Sequence, residues 1–192
     1  MNPAPETLIS SDATFRLRND GMDRTELERE LELLHAESWG WALACCARDR
    51  ELAEDTLQTA YLRVLSGRAR FNGHSSLKTW VFGVIRIIAM EEARRRSRRL
   101  ARDTGADVAL QVPDPSPGAD AAVERSERSA ALAGALAGLS PRQREVLQLV
   151  FYHDMTIEEA AGVMNVSLGS ARTHYERGKK ALARRLADGE AQ

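Results

Sequence analysis

Ser170, Thr173, Glu176, Arg177 and Lys180 fall on one side of a helix wound at about 100° per residue, and Ala171, Tyr175, Gly178 and Leu182 fall on the other. The first set offers hydroxyls, a carboxylate and cations, the groups that hydrogen-bond base edges and phosphates, and Arg172 lies beside it. The second set is small and apolar, as a core-facing side must be. Just upstream, Ala160, Ala161 and Met164 give a shorter helix an apolar side, and Ala161 is small enough for another helix to cross closely. Asn165 tolerates the left-handed conformation of a tight turn, Val166 anchors that turn inward, and Ser167 can cap the next helix. The order of these residues from Thr156 to Leu182 predicts a helix-turn-helix whose outer face reaches a DNA groove. An ordinary hairpin with a solvated face needs no such order.

Two further groups of residues carry nucleic-acid chemistry. Seven arginines lie between Arg86 and Arg102, and Arg94, Arg95, Arg96, Arg98 and Arg99 are spaced to follow one sugar-phosphate track. Complementing a helix dipole explains a few of them, not all. Before this run, Phe71, Asn72, Gly73, His74, Ser75 and Ser76 combine a stacking surface, hydrogen-bonding groups and a pliant backbone, a set suited to holding an unstacked base. Ser76 can also cap the apolar helix LKTWVFGVIRIIAM that leads into the arginines.

These residues must be positioned by small helical modules. The chain has 192 residues, 43% of them apolar and 5% aromatic, enough for compact helical cores but not for a large β sandwich. The net charge of -1 conceals zoning. Residues 20–60 carry eleven acidic and four basic side chains, whereas residues 61–102 carry eleven basic and two acidic. These opposed zones can mask each other in the free chain. Residues 103–130 turn acidic again and contain Pro113, Pro115, Pro117 and Gly118, which marks a linker.

The predicted organisation is all-α: a disordered tail over 1–22, a helical domain over 23–102, a flexible acidic linker over 103–125, the helix-turn-helix domain over 126–187, and a tail over 188–192. The first domain reads as three helices. Asp23 and Glu26 resemble a capping box, and the stripe Leu27, Leu31, Leu34, Ser38 and Trp41 continues through one helix. The second helix runs from Arg50 to Leu65, with Ala53, Leu57, Ala60, Tyr61 and Val64 inward and Glu51, Asp55, Gln58 and Leu62 outward. That outward patch is either a solvated acidic face or a dock for a protein bearing arginines.

Several function classes are excluded. The sequence has no P-loop, no GxSxG elbow and no His/Cys cluster at metal spacing, so neither catalysis nor a cofactor nor a metal is expected. Cys45 and Cys46 are adjacent in a helical context and read as buried small residues; a redox or zinc site with His35 has little support in the spacing. With no signal-peptide pattern and no apolar run near the roughly 20 residues needed to span a bilayer, the expected location is cytoplasmic, without membrane insertion.

AEDTLQTAYLRVL, FNGHSSLKTWVFGVIRIIAMEEARRR and LSPRQREVLQLVFYHDMTIEEAAGVMNVSLGSARTHYERGKKAL together resemble the two domains of an extracytoplasmic-function (group 4) sigma factor of the sigma-70 family. The resemblance spans residues 25–102 and 126–187. It implies a bacterial initiation subunit that is not itself an enzyme, partnered by core RNA polymerase through its largest and second-largest catalytic subunits, by promoter DNA and, as a further candidate, by an anti-sigma factor. Asp55 and Gln58 stand at the family's Asp-x-x-Gln pair, which docks on polymerase, with Glu51 and Leu62 on the same face. Phe71 to Ser76 with Lys78 match the segment that captures a flipped -10 base, and Trp80 matches a family tryptophan expected in the core. Arg94, Arg95, Arg96, Arg98 and Arg99 match the part that meets phosphates as the duplex opens. Ser170, Arg172, Thr173, Glu176, Arg177 and Lys180 fall in the -35 recognition helix, where Arg172 and Arg177 either read guanine or touch phosphate.

Some positions depart from the family pattern. Ile87 stands where an asparagine is usual and Gly83 where a basic residue is usual, so an altered -10 preference is expected, with Arg86 taking over polar contacts. His174 and Glu176 within THYERG make the recognition helix unusual too. LSPRQREVLQLV with a helix-turn-helix also resembles the output domain of response regulators, but that alternative requires an α/β receiver or ligand-binding fold in front. A sigma-like mimic that sequesters a regulator would be expected to lose the arginine face, which this chain keeps.

Overall fold

Caps and punctuation set the helix boundaries, which a computed structural model describes for residues 22–104 and 132–190. The N-terminal tail and the linker read from the sequence lie outside the described residues except at Met22, Asp103 and Thr104, and the C-terminal tail read over 188–192 does so only at 191 and 192. Helix α1 spans Arg24–Leu33, its first turn held by the Asp23 carboxylate accepting from the Glu26 amide at 2.8 Å. Helix α2 spans His35–Cys45 and α3 spans Arg50–Leu65, the latter capped by Asp49, which accepts from the Leu52 amide at 3.0 Å. Helix α4 spans Leu77–Thr104 and opens on Ser76, whose Oγ accepts from the Thr79 amide at 3.1 Å. After a short helical segment over 132–137 come α5, Pro141–Phe151, α6, Ile157–Met164, and α7, Leu168–Glu190. Among the described residues there is no strand.

The single helix expected from the Leu27-to-Trp41 stripe is interrupted at Leu34, where ψ is -4° rather than the usual helical value near -42°. No glycine or proline stands there, and the stripe itself survives: Leu27, Leu31, Ser38 and Trp41 are all buried. Only one of the adjacent leucines can point inward, and Leu33 is left exposed. The largest fully buried side chain of this core is Trp41, whose ring stacks on Phe82 at 5.7 Å between centroids while its Nε1–H donates to the Phe82 carbonyl at 3.0 Å. That satisfies the one polar group a buried tryptophan carries.

The helix-turn-helix forms as expected. Thr156 and Glu159 cap α6 reciprocally at 3.1 and 2.9 Å, Asn165 takes φ 51° and ψ 54°, and Ser167 Oγ accepts from the Ser170 amide at 3.2 Å. Ala160, Ala161, Met164 and Ala171 are buried between the helices. Gly178 lets α7 cross α5 closely, because a Cβ there would stand 3.1 Å from Leu147 Cδ1 and 3.3 Å from Gln143 Cβ. Gly178→Val is therefore expected to destabilise the chain by about 1–3 kcal/mol through overpacking, read as a lower midpoint in chemical denaturation; an unchanged midpoint would remove this crossing as a constraint. Arg144 ties the segment over 132–137 down by donating to the carbonyls of Leu136 at 3.0 Å and Ala137 at 2.7 Å.

The N-terminal helices and the helix-turn-helix share one hydrophobic core, which extends from Leu27, Trp41 and Ile85 to Val146, Leu149 and Met164. Helix α4 is packed on both sides: α2 and α3 cover one, α6 the other. This joint core was not expected from the sequence.

Candidate nucleic-acid interface

Three surfaces of different chemistry emerge from these helices. On α3, Glu51, Asp55, Gln58 and Leu62 are all exposed on the face opposite the buried Ala53, Leu57, Ala60 and Val64, and Leu62 is 63% accessible. An accessible leucine within an acidic and amide surface fits protein docking better than plain solvation.

On the far half of α4, Arg94, Arg95, Arg96, Arg98 and Arg99 are exposed. Arg95 meets Glu92 at 2.6 Å, Arg96 meets Asp49 at 3.1 Å, and Arg98 Nε donates to the Arg94 carbonyl at 3.2 Å. These solvent-facing contacts are individually weak and can be exchanged for phosphates. The Arg96–Asp49 bond is one contact between the basic and acidic zones; together with the bond from the Leu52 amide, it holds the Asp49 carboxyl below its ordinary pKa, the amide bond being the larger cause.

On α7, Ser170, Arg172, Thr173, Glu176, Arg177 and Lys180 are exposed while Ala171 and Gly178 are buried. The outer face is thus presented as one strip. Thr173 Oγ1 donates to the Gly169 carbonyl at 2.9 Å, and Glu176 lies 3.5 Å from Lys179, a residue of the same helix.

The loop before α4 departs from expectation at its aromatic. Asn72, Gly73, His74, Ser75 and Ser76 are exposed, and Gly73 uses a φ of 70° that favours glycine. Phe71, however, is only 7% accessible and packs against Trp80 at 5.4 Å between centroids. It anchors the loop to the core and offers no stacking surface here; burial of a large apolar ring outweighs its exposure in a polar loop. Trp80 is half-buried against the core, as expected for a packing residue.

Arg86 and Lys78 are likewise already engaged. Arg86 is 7% accessible and forms a two-pronged ion pair with Glu145 of α5, which also accepts from Arg142 at 3.1 Å. Lys78 pairs with Glu37 and donates to the His153 carbonyl at 2.8 Å. Arg86 therefore does not face solvent as a replacement for the missing asparagine. Ile87 is 49% exposed, and a side chain at Gly83 would meet nothing within 4 Å, so both departures from the family pattern lie on open surface.

Sequence reasoning missed His153. It is buried, edge-on to Phe82 at 4.9 Å and to Trp41 at 5.8 Å, with no partner for Nε2. A histidine next to a helix end gave no local signal of this. Burial first, and the nearby Lys78 ammonium second, push its pKa down to about 4, with Glu37 and Asp154 opposing. An unfolded histidine protonates near pH 6.5. The stability this difference supplies is thus fully present above pH 6.5 and is lost as pH falls from there to about 4. The loss is expected to be on the order of 3 kcal/mol at most. Denaturation midpoints of the wild type and of His153→Gln across that window check it, since the same pH slope in both would exclude this histidine as the source.

Cys46 is buried and Cys45 partly so, and for both the thiol is favoured over the thiolate. Burial, then the Glu145 carboxylate, raises the Cys45 thiol well above its ordinary pKa, and burial also raises Cys46. His35 faces the Tyr61 hydroxyl at 3.4 Å. Among the described residues no group of three potential metal ligands converges, and no helix is long and apolar enough to cross a membrane.

The helix-turn-helix unit and the arginine-bearing helical unit each match a family model of the sigma-70 class of proteins. Residues 32–99 match sigma-70 region 2 and residues 129–182 match sigma-70 region 4. The chain is 30% identical to the ECF RNA polymerase sigma factor SigX of Bacillus subtilis over 72% of its own length and 73% of that protein. It is 29% identical to the RNA polymerase sigma factor CarQ of Myxococcus xanthus over 90% of its length and 95% of that protein. The fold is similar to that of the sigma factor RpoE, solved in complex with the anti-sigma factor NepR from Bartonella quintana, with a TM-score of 0.66, 21% identity, and coverage of 85% of this chain and 98% of that one. The chain belongs to the extracytoplasmic-function sigma factors, which direct RNA polymerase to promoters.

Proposed function

We propose that this chain binds core RNA polymerase and brings it to specific promoters by a two-point grip. The Glu51, Asp55, Gln58 and Leu62 face of α3 docks on the polymerase. The exposed loop from Asn72 to Ser76 captures an unpaired -10 base, and Arg94, Arg95, Arg96, Arg98 and Arg99 follow the phosphates as the duplex opens. The outer strip of α7 enters the major groove at the -35 element. The observation that carries this reading is the separation of an acidic, leucine-bearing face from two exposed arginine-bearing faces on one chain.

An anti-sigma factor is a further proposed partner, supported by the complex in which the Bartonella quintana neighbour was solved. The response-regulator alternative is disfavoured because residues 22–104 are helical wherever they form regular structure. Overproducing the chain and mapping transcript 5′ ends tests the reading. New starts should share two upstream elements at fixed spacing, with a -10 sequence unlike the family's because Ile87 and Gly83 alter that surface; starts with no shared element would contradict it.

A further inference from the structure

One exposed apolar side chain stands in line with the nucleic-acid groups of α4. At about 100° per residue, Trp80, Gly83, Ile87, Arg94 and Arg98 fall within about 60° of one another around the helix. Phe71 packs against Trp80 at 5.4 Å between centroids and so brings the loop over 72–76 to the start of this stripe. Arg94 and Arg98, both exposed, stand at its far end. Between them Ile87 is 49% exposed, whereas Ile85 and Ile88 are buried on the other side. One turn before Ile87, a Cβ at Gly83 would meet nothing within 4 Å, so the space on that flank is open.

A single exposed isoleucine is ordinary on a protein surface. This one lies between a loop fit to hold a base and cations fit to hold phosphates, with room at its side for a planar group. Its side chain can neither donate nor accept a hydrogen bond. Among the groups on base edges, the C5-methyl of thymine is the one that matches it.

We propose that Ile87, with the open space over Gly83, is a specificity-determining contact that reads the C5-methyl group of a thymine in the -10 element. Arg94 follows Ile87 by about 10 Å along the helix axis, which corresponds to roughly three nucleotide steps. A phosphate held at Arg94 therefore sets the register in which the methyl group meets Ile87. The cation positions the strand, and the apolar contact selects the base.

This deepens the reading of the chain as an initiation subunit and rests on it. The test uses the full chain with core RNA polymerase on promoters found by mapping its transcript starts. Each thymine of the shared -10 sequence is replaced in turn, on each strand, by deoxyuridine, which removes the methyl group and keeps every hydrogen-bonding group. With the wild type, one position should lose about fourfold in open-complex formation, the worth of one buried methyl group. With Ile87→Ala the same replacement should have little effect, because the two changes remove one contact. A merely structural role for Ile87 would lower activity on both templates alike and leave their ratio unchanged. Gly83→Leu fills the open space and takes a glycine out of a helix interior, so it should keep or raise the denaturation midpoint while erasing the dependence on the methyl group.

A -10 sequence without thymine, a wild type indifferent to every methyl group, or a methyl effect undiminished in Ile87→Ala would overturn the contact while leaving the initiation reading intact. A methyl effect undiminished in Gly83→Leu would overturn the part given to the space over Gly83. Absence of promoter-specific starts with the wild type would overturn the initiation reading and this proposal with it.

Discussion

Asp55→Arg is expected to abolish stable association with core RNA polymerase while leaving the fold intact. Asp55 is exposed on α3 between Glu51 and Gln58, and its substitution removes no buried contact. Surface changes of this kind alter stability by only about 0.5 kcal/mol. At a protein interface, in contrast, replacing a paired carboxylate by a cation adds repulsion to the lost bond, and truncating such a partner alone costs about 2–5 kcal/mol. Affinity should therefore fall by about 30-fold or more. A binding titration against core enzyme, run beside circular dichroism, separates the two effects. Unchanged affinity in a folded variant would remove the docking role assigned to this face.

The second large effect is expected for simultaneous reversal of Arg94, Arg95 and Arg96 to glutamate. All three are exposed on the far half of α4, and their visible contacts are to Glu92 and Asp49, solvent-facing pairs of small worth. Folding and polymerase binding should persist. Open-complex formation should be lost, and the dependence of promoter binding on salt should flatten by roughly 2–3 in log-log slope, since each phosphate contact contributes roughly 0.7–0.9. Potassium permanganate footprinting with core polymerase reads strand opening directly. Persistent opening in this variant would assign the arginines to solubility rather than to phosphates.

Local signals carried most of the fold. Asn165 at φ 51°, the Ser167 cap and the inward Ala160, Ala161 and Ala171 follow from short-range sterics and capping, which act within a few residues and are therefore written in adjacent letters. The same holds for α3, whose inward and outward faces are separated by a simple 3.6-residue period. Positions governed by distant contacts were less legible. Phe71 stands in a loop of polar residues, and nothing nearby reveals that Trp80 will receive its ring.

Helix α4 shows the limit most clearly. Val81, Phe82, Ile85, Ile88 and Ala89 announce one buried side, but Thr79 and Arg86 are buried too because the helix-turn-helix unit covers a second side. An arginine next to apolar residues reads locally as a cation on an exposed face. Its partner, Glu145, is far away in the sequence and looks like any polar position of α5. The surface assigned to polymerase and the outer strip of α7 were legible because both are left open by the packing, so the helical period alone determines which residues face out.

The central claim is that this chain makes core RNA polymerase start at specific sites. Reconstituted transcription from the purified chain, core enzyme and genomic template, with sequencing of the 5′ ends, tests it most directly. Discrete starts that appear only when the chain is present, together with co-elution of chain and core enzyme, are the expected result. A chain that binds duplex promoter tightly by itself, never co-elutes with core enzyme and yields no new starts would contradict it.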